Sequence, residues 1–164
     1  MTEQLLQTAL DEIQAGHPVV LVSVVRSAGS TPRAAGALML AGETSLLCGT
    51  IGGGLLEHRC LEIAAAQPAV PRRETFVLDN RQAGSLGMVC GGTSEVLFTP
   101  LDDPAPFTAA LDALHGHQTA WLCLPLSGSA PIVCTDAGLP ARPAVIELRG
   151  QDMLAVRLAD TGRV

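Results

Sequence analysis

Two short glycine runs and one thiol carry most of the chemistry this sequence offers. The first run is Gly49-Thr50-Ile51-Gly52-Gly53-Gly54, with Glu57 one turn further on; the second is Met88-Val89-Cys90-Gly91-Gly92. Glycine lacks a Cβ, so such runs let bare backbone approach a ligand and turn several N–H groups the same way. The first run lies between a strand-like and a helix-like segment, where backbone donors and the helix dipole favour a phosphate. Glu57 then sits in the first helical turn, either as a base or hydrogen-bond acceptor for a ligand or as a cap of its own helix. Cys90 precedes a glycine pair that exposes it and can aim N–H groups at its sulfur, favouring the thiolate, a soft metal ligand or sulfur acceptor. A third segment, Gly29-Ser30-Thr31-Pro32-Arg33, adds two hydroxyls and a guanidinium on one loop. An arginine fork of this kind binds phosphate or carboxylate, although most such arginines are only solvated. Together the three segments describe a bare-backbone pocket with one nucleophilic atom, suited to an anionic ligand that also carries metal or sulfur.

Composition narrows the field. All ten Lys+Arg residues are Arg, which excludes a Walker-type phosphate lysine, a Schiff-base lysine and a lysine general base. The net charge of -6, with 2% aromatics and no Tyr, is unsuited to neutralising phosphates or stacking bases, so no nucleic-acid partner is expected. The five cysteines, Cys48, Cys60, Cys90, Cys123 and Cys134, never form a Cys-x-x-Cys pair, which disfavours a disulfide framework or structural zinc site. Four of them fall in strand-like or helix-like segments and read as core. His58, His115 and His117 read as surface or helix-end residues, and Asp79-Asn80-Arg81 as a turn. The N-terminus lacks a signal-peptide pattern, and the densest apolar run, residues 19–25, is too short to span a bilayer, so a cytoplasmic location without membrane association is expected.

The elements that must position these residues follow from periodicity. Apolar residues at helical spacing predict a helix over residues 2–15 with Thr2 as its N-cap, and others over 55–67 and 106–115. The β-branched run 19–26 predicts a strand buried on both faces. Further strands are expected at 37–40, 45–48, 74–78, 93–99, 120–126, 131–134, 144–149 and 153–158, the late ones antiparallel across short turns. The fold class is therefore α/β (or α+β), a mixed sheet with two to three helices and late antiparallel strands. With 164 residues and 48% hydrophobic residues, one domain with a Val, Leu, Ile and Ala core is expected.

The ordered set of segments resembles the N-terminal domain of the XdhC/CoxI family. The resemblance rests on Gly29-Ser30-Thr31-Pro32-Arg33-Ala34-Ala35-Gly36-Ala37-Leu38-Met39, then Gly49-Thr50-Ile51-Gly52-Gly53-Gly54-Leu55-Leu56-Glu57, then Leu86-Gly87-Met88-Val89-Cys90-Gly91-Gly92. It covers residues 1–100 well and the rest more loosely. The family likeness implies a molybdenum cofactor (molybdopterin) chaperone that inserts its cargo into a xanthine dehydrogenase-type molybdenum hydroxylase and assists sulfuration by a cysteine desulfurase. Carried over by position, Cys90 would be the functional thiol, relaying sulfur or ligating molybdenum through the cofactor. Ser30, Thr31, Arg33, Gly49, Thr50, Gly52, Gly53, Gly54, Glu57, Gly91 and Gly92 would complete the cofactor pocket. The implied partners are the apoenzyme, the desulfurase, a second copy in a homodimer and a separate Rossmann-domain protein. Longer members continue into a Rossmann domain, and no such fingerprint follows here, so neither NAD nor flavin is expected. Relatives often carry His or Cys where this chain has Leu55, so no side-chain role is inherited there. Two other readings stay open: a sulfurtransferase working through a Cys90 persulfide, and an oxidoreductase-associated subunit.

Overall fold

The structure, a computed structural model, describes residues 1–29, 34–78 and 92–159. The β-branched run is the middle strand of a five-stranded sheet. This strand, β1 (Val20–Gly29), is flanked by β2 (Leu38–Ala41) and β5 (Gly92–Pro100). Beyond them lie β3 (Leu46–Gly49) and β4 (Arg72–Leu78), giving the order β3-β2-β1-β5-β4. A second sheet has the order β7-β6-β9-β8, built from β6 (Trp121–Pro125), β7 (Ile132–Cys134), β8 (Ala144–Leu148) and β9 (Gln151–Arg157). Three helices accompany them among the described residues: α1 (Glu3–Gln14), α2 (Gly54–Ala65) and α3 (Ala105–His115). The class is the α+β form of the two expected, with the late strands antiparallel as read from the sequence. Antiparallel pairing extends to the first sheet, where a mixed sheet was expected. Parallel neighbours need a long crossover, and α2 joins β3 to β4, which lie on opposite edges rather than side by side.

β1 is buried on both faces because a layer covers each. On one face Val20, Val22, Val24, Val96 and Phe98 pack against Ile51 and against Leu56, Cys60 and Ala64 of α2. On the other, Leu21, Val25 and Leu97 meet Leu6 and Leu10 of α1, Phe107 and Leu111 of α3, and Leu122, Leu124, Leu154 and Val156 from the second sheet. One apolar cluster thus joins both sheets and two helices. Thr2 caps α1 as expected, its Oγ1 accepting the Leu5 amide at 3.3 Å. His115 at the end of α3 pairs with Glu3 of α1 at 2.6 Å. The outer face of the second sheet carries Trp121, Cys123, Cys134, Met153 and Ala155, and Trp121 Nε1 donates to the Pro140 carbonyl at 2.7 Å.

Candidate functional site

Strand direction sends the three sequence segments toward one end of the first sheet. β1, β3 and β4 finish at that end, and β2 and β5 start there. Gly29 is the register partner of Gly92, and Gly92 also faces Leu78, so the first and third segments leave from neighbouring strands. The glycine loop leaves from Gly49, which pairs with Met39, itself opposite Val22; it points to the same end but is set back from the tip. Ser30, Thr31, Arg33, Cys90 and Gly91 lie outside the described residues, as do Asp79, Asn80 and Arg81. Gly92 opens β5.

The glycines of the loop divide by purpose. Gly49 has φ +78, and a Cβ there would stand 2.3 Å from the Leu38 carbonyl oxygen. Its lack of a side chain is therefore required by the passage of β2, whatever binds nearby. At Gly53, with φ +74, a Cβ would meet nothing within 4 Å, so the fold asks only for the backbone conformation and leaves the space open.

Around these turns the loop folds over a carboxylate. Glu57 Oε1 accepts from the Ile51 amide at 3.1 Å, the Gly53 amide at 3.3 Å and the Thr50 hydroxyl at 2.7 Å. The Gly52 amide donates to Thr50 Oγ1 at 3.0 Å. Glu57 therefore caps and closes its own loop, the plainer of its two sequence readings. The same geometry defines a nest that accepts one anionic oxygen, here supplied from within the chain. A phosphate seeking those donors must compete with Glu57.

Cys60, Cys123 and Cys134 are buried, whereas Cys48 is only half-buried because β3 is an edge strand. Burial pushes the Cys60 thiol up from 9.0 to about 12, with the Glu57 charge adding and Arg59 opposing. Cys123 rises to about 12 through burial and then through its hydrogen-bonded neighbour Cys134. The folded chain holds both thiols neutral while the unfolded chain ionises them, so stability is fully present below pH 9.0 and is lost as pH climbs toward 12. Alkylation of the native protein at pH 8 is expected to modify Cys48 before Cys60 or Cys123, as read by peptide mass mapping; faster labelling of Cys60 contradicts this.

Elsewhere the histidines keep to the surface: His58 pairs with Glu62 at 3.2 Å one turn along α2. No group of three or more His, Cys, Asp or Glu that could hold a metal occurs among the described residues. A cleft of about 540 Å³ beside Val25, Arg26 and Ala35 is lined from the second sheet by Val145, Glu147 and Asp152. Sequence reasoning missed its three charged residues. The charge at Glu147 interrupting the apolar run Ala144-Val145-Ile146 was a signal, but which face it marked depended on strand pairing.

Residues 12–79 match the XdhC and CoxI family model. The uncharacterized protein YqeB of Escherichia coli (strain K12) is 32% identical over 84 residues, which is 50% of this chain and 15% of that protein. The chain thus spans well under two thirds of this relative's length. A crystal structure of a xanthine dehydrogenase from Bacillus halodurans shares the fold, with a TM-score of 0.65 at 24% identity, over 85% of this chain and 44% of that one. The stretch from within α1 through β4, residues 12–79, is thus similar to the XdhC and CoxI family.

Proposed function

We propose that the chain is a cytoplasmic molybdenum cofactor-binding chaperone serving the maturation of a xanthine dehydrogenase-type hydroxylase. The observation that carries this reading is the common direction of the three family segments, with Gly29 and Gly92 paired and the loop after Gly49 pointing the same way. The loop's donor set fits the cargo's phosphate, because Ile51, Gly53 and Thr50 already hold one anionic oxygen in the same chemistry. When bound, the cofactor supplies molybdenum with its sulfur ligands, a pterin and a phosphate. The chain supplies the two amides and the hydroxyl for the phosphate, while Glu57 is the internal anion that reclaims them on release. That competition keeps affinity moderate, as a carrier requires. Cys90, with Gly91, Gly92 and the hydroxyls and guanidinium of Ser30, Thr31 and Arg33, is proposed from the family resemblance as the thiol side of the pocket. The apoenzyme, a cysteine desulfurase, a Rossmann-domain protein and a second copy of this chain are the proposed partners.

The test is the cargo itself. Protein purified from cells that make the cofactor is expected to carry molybdenum and pterin together; protein that purifies free of both overturns the reading.

A further inference from the structure

We infer that Cys123 and Cys134, on the outer face of the second sheet, form a two-thiolate site for one soft monovalent metal ion, copper(I) by chemical class.

Sulfur is concentrated on this face. Its buried cluster is Trp121, Cys123, Cys134, Met153 and Ala155, so three of the five members carry sulfur. Strand register brings them together. Cys123 of β6 stands opposite Ile132 of β7 and Ala155 of β9, while Cys134 stands opposite Trp121. Residues two apart along a strand share a face, so Cys123 and Cys134 are diagonal neighbours, and Met153 lies on a diagonal from Cys123 on the β9 side. Cys123 is fully buried, Cys134 is 6% exposed, and their thiols share a hydrogen bond. Around them Ile132, Leu139, Ile146 and Leu148 keep the setting apolar.

A lone buried cysteine packs as a small hydrophobe, but two that meet can be bridged. Both are free thiols, and the register explains why. A disulfide needs Cβ atoms about 3.8 Å apart, whereas diagonal positions lie closer to 7 Å. A bridging ion replaces one sulfur–sulfur bond of about 2.05 Å by two metal–sulfur bonds of about 2.3 Å each, and so suits the wider span. The donor set selects the ion. Zinc takes four ligands, and no group of three His, Cys, Asp or Glu that could hold a metal occurs among the described residues. Calcium and magnesium require oxygen donors. Copper(I) is satisfied by two thiolates in line, and a thioether such as that of Met153 is also a soft donor. On ligation each thiol loses its proton to solvent and the ion offsets one of the two thiolate charges; Arg149 acts on Cys123 in the same sense.

The site has an entry. β7 is an edge strand and Cys134 is its last residue. The chain that follows folds over the face, with Leu139 packed on the cluster and the Pro140 carbonyl accepting from Trp121 Nε1 at 2.7 Å. Lifting that segment reaches the Cys134 sulfur, and the single tryptophan opposite it reports on what arrives.

The experiment titrates the full chain with copper(I) under anaerobic, reducing conditions against a chromophoric copper(I) chelator, while Trp121 emission is followed. A Cys48→Ser/Cys90→Ser background removes the two competing thiols that are not buried cysteines of the described chain. It is expected to bind one copper(I) per chain, with Trp121 emission falling about twofold or more and the melting midpoint rising with added ion. Adding Cys123→Ala/Cys134→Ala is expected to weaken binding about a hundredfold or more and to abolish the quenching. Either single alanine variant makes the same test should the double variant not fold. Zinc(II) is expected not to displace the copper. No copper(I) in the background protein, undiminished binding in the alanine variants, binding without a change in Trp121 emission, or displacement by zinc(II) each overturns the assignment.

Discussion

Gly49→Ala is expected to destabilise the protein by about 4 kcal/mol or more, whereas Gly53→Ala should cost about 1–3 kcal/mol. Both residues have positive φ, so both substitutions carry backbone strain; at Gly53, with ψ -167, the conformation is one that essentially only glycine adopts. Only at Gly49 does the new Cβ also collide, at 2.3 Å, with the Leu38 carbonyl oxygen, and a backbone atom in a paired strand cannot step aside as a side-chain tip can. β3 must then part from β2, and the loop that starts at Gly49 loses its anchor. Denaturant unfolding of the two variants measures the difference directly. Melting of Gly49→Ala within a degree or two of Gly53→Ala would contradict the close approach. The pair also decides how the site should be probed: a functional loss at Gly49 reports on folding, while one at Gly53 reports on the space beside the loop.

Phe107→Ala is the other large effect, about 3–5 kcal/mol. Phe107 is 1% exposed and lies in the cluster that contains α1, α3, β1 and the inner face of the second sheet. Its removal leaves a cavity shared by both sheets, so both should weaken together. The single tryptophan, Trp121, sits in β6 and reports on the second sheet, while far-ultraviolet circular dichroism reports on the whole chain. Both signals are expected to move to the same lower midpoint. A Trp121 transition left at its wild-type midpoint while the dichroism shifts would mean that the sheets unfold as separate units.

Much of the fold was legible because its elements have strong local signals. Thr2 followed by Leu5, Leu6, Ala9 and Leu10 marks α1, and the β-branched run marks β1, since these patterns depend on residues close in sequence. Burial of β1 on both faces was read correctly, but the layers that bury it were not visible: α2 covers one face and the α1, α3 and second-sheet layer the other. Pairing partners depend on contacts remote in sequence, such as Val22 with Phe98. The candidate site shows the same limit. That Glu57 stood near the glycine loop was evident from helical spacing, yet that its Oε1 gathers Thr50, Ile51 and Gly53 depended on the loop's path. The purpose of Gly49 was hidden for a related reason: it is set by Leu38, on another strand. Arg26 was invisible as a cleft residue because a single bulge decides which side of β1 it takes.

The central claim is that the loop after Gly49 and the segments meeting at Gly29 and Gly92 together hold one molybdenum- and pterin-bearing guest. Its most direct measurement is the molybdenum and pterin content per chain of protein purified from cells that make the cofactor, for wild type, Cys90→Ala and Gly53→Val. The account expects both components in wild type and about tenfold less of each in both variants, counted per chain that circular dichroism shows to be folded, since Val at φ +74 also strains the loop. Wild type without cargo, or undiminished cargo in both variants, would contradict it.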